Sequence, residues 1–122
     1  MKSIYFLSLN MISFVPYAYG LLKSFAEQDP EIASAYRWHP PFTDPLPVDA
    51  IVSQIRDPDL LLLSCYVWNH NQQMAVARRI KARYPKCLVV CGGPHVPDHS
   101  PDFFSRFPYA DVLVHGEGEV PL

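Results

Sequence analysis

The chain has 122 residues, 49% of them apolar and 18% charged, with a formal net charge of −2. That length suits one hydrophobic core, and the balance of apolar and charged residues excludes an intrinsically disordered chain. A slightly negative chain with no basic stripe among its aromatics lacks the electrostatic footprint of a nucleic-acid binder, so no nucleic-acid partner is expected.

Lys2 to Leu9 opens the chain with a short apolar run, read as a first strand. The same residues resemble the start of a secretory signal. Asn10 and Ser13 interrupt the run and no A-x-A site follows, so a buried strand is the simpler account. No stretch reaches the roughly 18 apolar residues that a membrane-spanning helix needs, and no membrane partner is expected. Pro16 to Gln28 reads as a helix, with Pro16 in its first turn and Pro30 just beyond its end. Ile32 to Trp38 reads as a second strand. The following His39 to Pro47 carries four prolines, which exclude a helix interior or a central strand and predict a stiff surface loop.

Val48, Ile51, Val52 and Ile55 recur at helical spacing, so Val48 to Arg56 is predicted as a short amphipathic helix that Asp57-Pro58-Asp59 ends. Leu60 to Tyr66 is the most continuously apolar run, as expected of a central strand buried on both faces. Asn69 to Tyr84 is the clearest helix. Met74, Ala77, Ile80 and Ala82 are predicted to point inward, and Arg78, Arg79, Lys81 and Arg83 to water. Cys87 to Cys91 is a fourth strand, Ser100 to about Phe107 a short helix, and Ala110 to His115 a fifth strand. This alternation predicts an α/β fold: a flavodoxin-like, doubly wound, five-stranded parallel sheet with helices on both faces.

Ligands of such sheets sit beyond the carboxyl ends of the strands. That rule nominates the loops Asn10 to Val15, Ser64 to His70, Gly92 to Pro97 and Gly116 to Glu119. Two of these begin with glycine after an apolar run, at Gly92-Gly93 and at Gly116-Glu117-Gly118-Glu119. Glycine gives backbone there the freedom to take positive φ and lets a bulky group approach closely. The three cysteines lie inside apolar runs, and their odd number and spacing suit a reducing, cytoplasmic setting. Cys87 and Cys91 imitate the start of an iron–sulfur motif, but Pro94 fills the third position and the pair sits on a strand. Neither a metal site nor a catalytic residue is expected. Glu117 and Glu119, with interleaved glycines, read as a turn rather than an acid–base pair.

Ser64 at a strand end, then Cys91-Gly92-Gly93-Pro94-His95, then Asp111 to Glu119, in that order and spacing, resemble the cobalamin-binding domain of radical S-adenosylmethionine enzymes. The resemblance covers nearly the whole chain. It implies that a corrinoid lies over the strand ends while its nucleotide tail descends beside the sheet. Ser64 would then hydrogen-bond the tail, Gly92 and Gly93 would leave room for it, and Gly116 and Glu117 would line the same pocket. Asn10, Tyr66, Trp68, Asn69, Pro94 and His95 complete the implied cofactor-binding set, with Tyr66 and Trp68 as candidates to stack on the ring. The loop after the first strand has no histidine where many relatives carry Asp-x-His-x-x-Gly, so the resemblance implies a base-off, His-off corrinoid. It further implies that residues 1–122 form the N-terminal module of a longer chain. A radical S-adenosylmethionine domain holding a 4Fe–4S cluster and S-adenosylmethionine would follow residue 122, giving a methyltransferase or cyclase. The alternative is a corrinoid-free remnant with a structural or substrate-docking role.

Overall fold

The structure, a computed structural model, describes residues 2–9, 17–43, 46–65, 69–92, 108 and 110–114. In chain order the elements are β1 (Lys2–Leu7), α1 (Tyr17–Ala26), α2 (Pro30–Ala35), β2 (Tyr36–Trp38), α3 (Val48–Gln54), β3 (Leu60–Ser64), α4 (His70–Arg83), β4 (Leu88–Gly92) and β5 (Val112–Leu113). The strands form one sheet in the order β2-β1-β3-β4-β5, and every neighbouring pair is parallel. This is the flavodoxin-like, doubly wound arrangement that the alternating pattern predicts. The expected helix at Ser100 to Phe107 lies outside the described residues.

The central strand β3 is apolar because both its faces are covered. Leu61, Leu62 and Leu63 are all buried, each worth about 1.5–3 kcal/mol in removed apolar surface. Strand alternation sends Leu61 and Leu63 to one face and Leu62 to the other. On the first face they join Tyr5, Leu7, Val89 and Cys91 against Ile51, Val52 and Ile55 of the α3 segment and Met74, Val76, Ala77 and Ile80 of α4. On the second face the buried set among the described residues is only Ile4, Phe6, Leu62 and Val90, with Leu22 of α1 packed against it. Helices thus lie on both faces of the sheet.

Three expectations need correction. Ile32 to Ala35 is helical, not part of a strand, because Asp29 caps the backbone N–H of Glu31 at 2.9 Å and Pro30 occupies the first turn. Strand β2 is therefore only Tyr36–Trp38. The proline-rich segment is also not merely a surface loop. Phe42 N–H donates to the Phe6 carbonyl at 2.9 Å, Ser8 N–H donates to the Phe42 carbonyl at 2.9 Å, and His39 N–H donates to the Ile4 carbonyl at 3.0 Å. The segment thereby continues the pairing along β1, with Phe42 packed on the larger core and the His39 ring stacked on Tyr5 at 4.1 Å. Burial, followed by the charge of Arg37, holds the His39 imidazole below its ordinary pKa.

The third correction concerns α4. Ala82 is exposed and Val76 is buried. Lys81 does not point freely to water: its Nζ donates to Cys87 O and to Asp111 Oδ2, each at 2.6 Å. Asp111 Oδ2 also accepts from Val89 N–H at 2.8 Å. This small network ties the end of α4 to the beginnings of β4 and β5. Ile80, one residue away, is fully buried at the centre of the α4 face. Replacing Ile80 with Ala should cost about 2–5 kcal/mol of stability, read as a lowered urea midpoint with an unchanged slope.

Candidate ligand-binding site

The switch point of this strand order lies between β1 and β3, whose carboxyl ends part after the pair Leu7 and Leu63. Strands β3 and β4 stay together further, with Ser64 opposite Gly92 and Cys65 N–H donating to Gly92 O at 2.7 Å. Val114 N–H donates to Cys91 O at 2.8 Å and brings the end of β5 alongside. Alternation puts Ser64 on the face of Leu62, Gly92 on that of Val90, and Ser8 on that of Phe6. A row of Ser8, Ser64, Gly92 and Val114 therefore crosses the carboxyl rim on the face of the smaller described cluster.

Gly92 carries the sharpest observation. It ends a regular strand and its backbone is not in the left-handed region that would demand glycine. Among the described residues, a Cβ built there would meet Val114 alone, at 3.8 Å from Cβ and from the carbonyl oxygen, which is ordinary van der Waals contact. The described packing therefore admits a methyl at this position, and neither a left-handed backbone nor a clash with a described residue calls for glycine.

Ser64 is buried, and its carbonyl accepts from Asn69 Nδ2 at 3.2 Å and Gln73 Nε2 at 3.0 Å. Asn69, expected at the site, precedes α4 and is itself buried, with Nδ2 also donating to Leu9 O at 3.0 Å. His70 opens α4 and is buried. Asn10, Tyr66, Trp68, Gly93, Pro94, His95, Gly116 and Glu117 lie outside the described residues. Ser64, Asn69 and Gly92 are thus the predicted site residues that can be located, and the fold brings them to the ends of β3 and β4. Ser8 and Gln73 were missed by sequence reasoning. The legible signals were a small polar residue continuing the Ile4-Phe6 alternation, and a glutamine on the same helical stripe as Met74, Ala77 and Ile80.

Among the described residues no group of His, Cys, Asp or Glu is arranged to hold a metal ion, and no helix is long and apolar enough to cross a membrane. All three cysteines are free and buried. Burial pushes the Cys87 thiol up to about 11, against the opposing pull of Lys81. The Cys91 thiol is likewise raised, first by its hydrogen bond with Cys65 and then by burial. Thiols so placed are poor nucleophiles because the reactive thiolate is disfavoured. At pH 8 an aromatic disulfide reagent should leave the native protein unlabelled over the time in which urea-unfolded protein reacts at all three positions.

A doubly wound α/β module with small residues at the carboxyl ends of its central strands belongs to the class of domains whose ligands sit at the strand ends. Residues 37–122, more than half of the chain, match the B12 binding domain model, and the chain belongs to the B12-binding family. It is 53% identical over 97% of its length to a 2-(S-pantetheinyl)-carbapenam-3-carboxylate methyltransferase of Streptantibioticus cattleyicolor. It is 52% identical over 98% of its length to TokK of Streptomyces tokunonensis, a cobalamin-dependent radical SAM methyltransferase. The chain spans only 17% and 18% of these two proteins. Its fold also matches the crystal structure of a cobalamin-binding protein from Desulfitobacterium hafniense, with a TM-score of 0.66, 17% identity, and coverage of 98% of this chain and 55% of that one.

Proposed function

We propose that this chain is the cobalamin-holding module of a B12-dependent radical S-adenosylmethionine methyltransferase. The observation that carries the reading is Gly92: a position without a side chain at the carboxyl rim, beside Ser64, where no described residue requires glycine. A corrinoid with a nucleotide tail needs such a position, because close-packed domains leave few spare voids. The residues present fit the group. Ser64 supplies a hydroxyl at the end of β3, Gly92 supplies clearance at the end of β4, and Ser8 extends the small polar row toward β1. When bound, the corrinoid supplies a cobalt centre suited to methyl transfer. Gly93, Gly116 and Glu117 are proposed to line the tail pocket, with Pro94 and His95 beside it. Asn10, Tyr66 and Trp68 are assigned to the ring side.

The lower face of the cobalt is proposed to be without a histidine ligand, since residues 10–16 offer none. Both relatives are named as methyltransferases, which favours methyl transfer over ring formation. The 4Fe–4S cluster and S-adenosylmethionine are assigned to a following domain of the same polypeptide. In this reading the module holds the corrinoid toward that domain and performs no chemistry by itself.

Protein mixed with hydroxocobalamin and passed through gel filtration should carry the corrinoid absorbance with it. Failure to co-elute supports the corrinoid-free alternative that the missing histidine suggests. Gly92→Ala should leave stability within about 1 kcal/mol of wild type, since the new methyl makes ordinary contacts. It should nevertheless weaken hydroxocobalamin binding by about tenfold or more, the effect of crowding a filled site. Ser64→Ala should weaken binding about three- to tenfold, the worth of one hydrogen bond.

A further inference from the structure

We infer that Gln73 and Asn69 form a side-chain clamp that fixes the width of the crevice between β1 and β3, and so act as positioning residues for the ligand. The inference takes its ligand from the corrinoid reading, but its geometry stands apart from it. Gln73 is fully buried, and Asn69 is nearly so. Gln73 Oε1 accepts from Leu9 N–H at 2.9 Å while Gln73 Nε2 donates to Ser64 O at 3.0 Å. Asn69 Nδ2 spans the same gap, donating to Leu9 O at 3.0 Å and Ser64 O at 3.2 Å. Four hydrogen bonds from two residues at the start of α4 therefore join the strand ends beyond their last paired residues.

The chemistry allows only one orientation of each amide. Leu9 N–H needs an oxygen and the Ser64 carbonyl needs an N–H, so the Gln73 amide lies one way round. The Ser64 carbonyl has two lone pairs, and the two amides supply its two donors. Fixing that carbonyl fixes the peptide plane after Ser64, and with it the direction of the Ser64 Cα–Cβ bond. Holding both the N–H and the C=O of Leu9 fixes the direction in which the chain leaves for Asn10. A ladder would have performed the same satisfaction by closing the strands together. The amides satisfy the backbone while keeping the strands apart.

The clamp also explains why polar side chains stand at inward positions of an otherwise apolar helix face. Leaving buried backbone groups unpartnered is expensive, whereas paired amides are tolerated. A clamp of this kind acts on binding through geometry. A residue that served only general stability would act on binding no differently from any other core position.

The test compares wild type with Gln73→Met, which keeps the length of the side chain and removes its hydrogen bonds. Asn69→Ala is the second variant, should the first not fold, and Ile80→Ala serves as a destabilised control remote from the crevice. Two quantities are read in each: hydrogen-exchange protection of the Leu9 amide, and affinity for hydroxocobalamin at a temperature where the variant is folded. Gln73→Met should lower Leu9 protection at least about tenfold beyond its global loss of stability, and affinity at least about tenfold. Asn69→Ala should lower affinity in the same direction, and Ile80→Ala should leave affinity within about twofold of wild type. Unchanged Leu9 exchange in Gln73→Met overturns the clamp. So does lost protection with unchanged affinity, or an equal loss of affinity in Ile80→Ala. Wild-type protein that takes up no hydroxocobalamin refutes the corrinoid reading itself, a result distinct from binding that ignores the clamp.

Discussion

Strands β1 and β3 part beyond Leu7 and Leu63, and the backbone groups set free there are taken up by side chains of Asn69 and α4. In a doubly wound sheet the chain leaves neighbouring central strands toward opposite faces, so their ends diverge and a crevice opens. Divergence exposes backbone donors and acceptors in a region that is otherwise apolar, and these must find partners. Here the partners are the amides of Gln73 and Asn69, reaching Leu9 and Ser64. Strand β1 meanwhile finds a second neighbour in the Phe42 segment, and β3 remains joined to β4 as far as Cys65 and Gly92. At the crevice the backbone groups of Leu9 and the Ser64 carbonyl are thus satisfied.

The two faces of the sheet divide the labour. Helices α3 and α4 bury a continuous apolar cluster that includes Leu61, Leu63, Val89 and Ile80. On the other face the cluster of Ile4, Phe6, Leu62 and Val90 is small, and the row that follows it toward the carboxyl rim is Ser8, Ser64, Gly92 and Val114. Among the described residues the larger apolar cluster lies on one face and the row of small residues on the other. Membership of the B12-binding family accords with small residues at the strand ends, where a large ligand needs clearance.

Much of the architecture is legible in the residue order. The unbroken leucines of β3, the apolar run of β4 and the helical recurrence of Ile51, Val52 and Ile55 each point to one structure, and the sheet follows from their succession. What the pattern conceals depends on contacts distant in sequence. Ile32 to Ala35 has alternation enough for a strand, yet the cap from Asp29 and the proline after it make a helix. Lys81 resembles its basic neighbours, but Asp111, thirty positions away, draws it into a network. At the rim, Ser64 and Gly92 announce themselves by being small at the ends of apolar runs. Gln73 does not, because its purpose becomes visible only when Leu9 and Ser64 are brought beneath it.

The segment that runs beside β1 has a bearing on how this domain behaves among its neighbours. A parallel sheet ends in strands whose outward backbone groups invite pairing with another molecule, a route to aggregation. Beyond the three residues of β2, that border is continued by His39 to Phe42, which includes Pro40 and Pro41. Proline has no N–H to offer an incoming strand, so edge-to-edge association cannot propagate past this point. The same residues that forbid a regular strand thereby act as a hem that ends this border of the sheet.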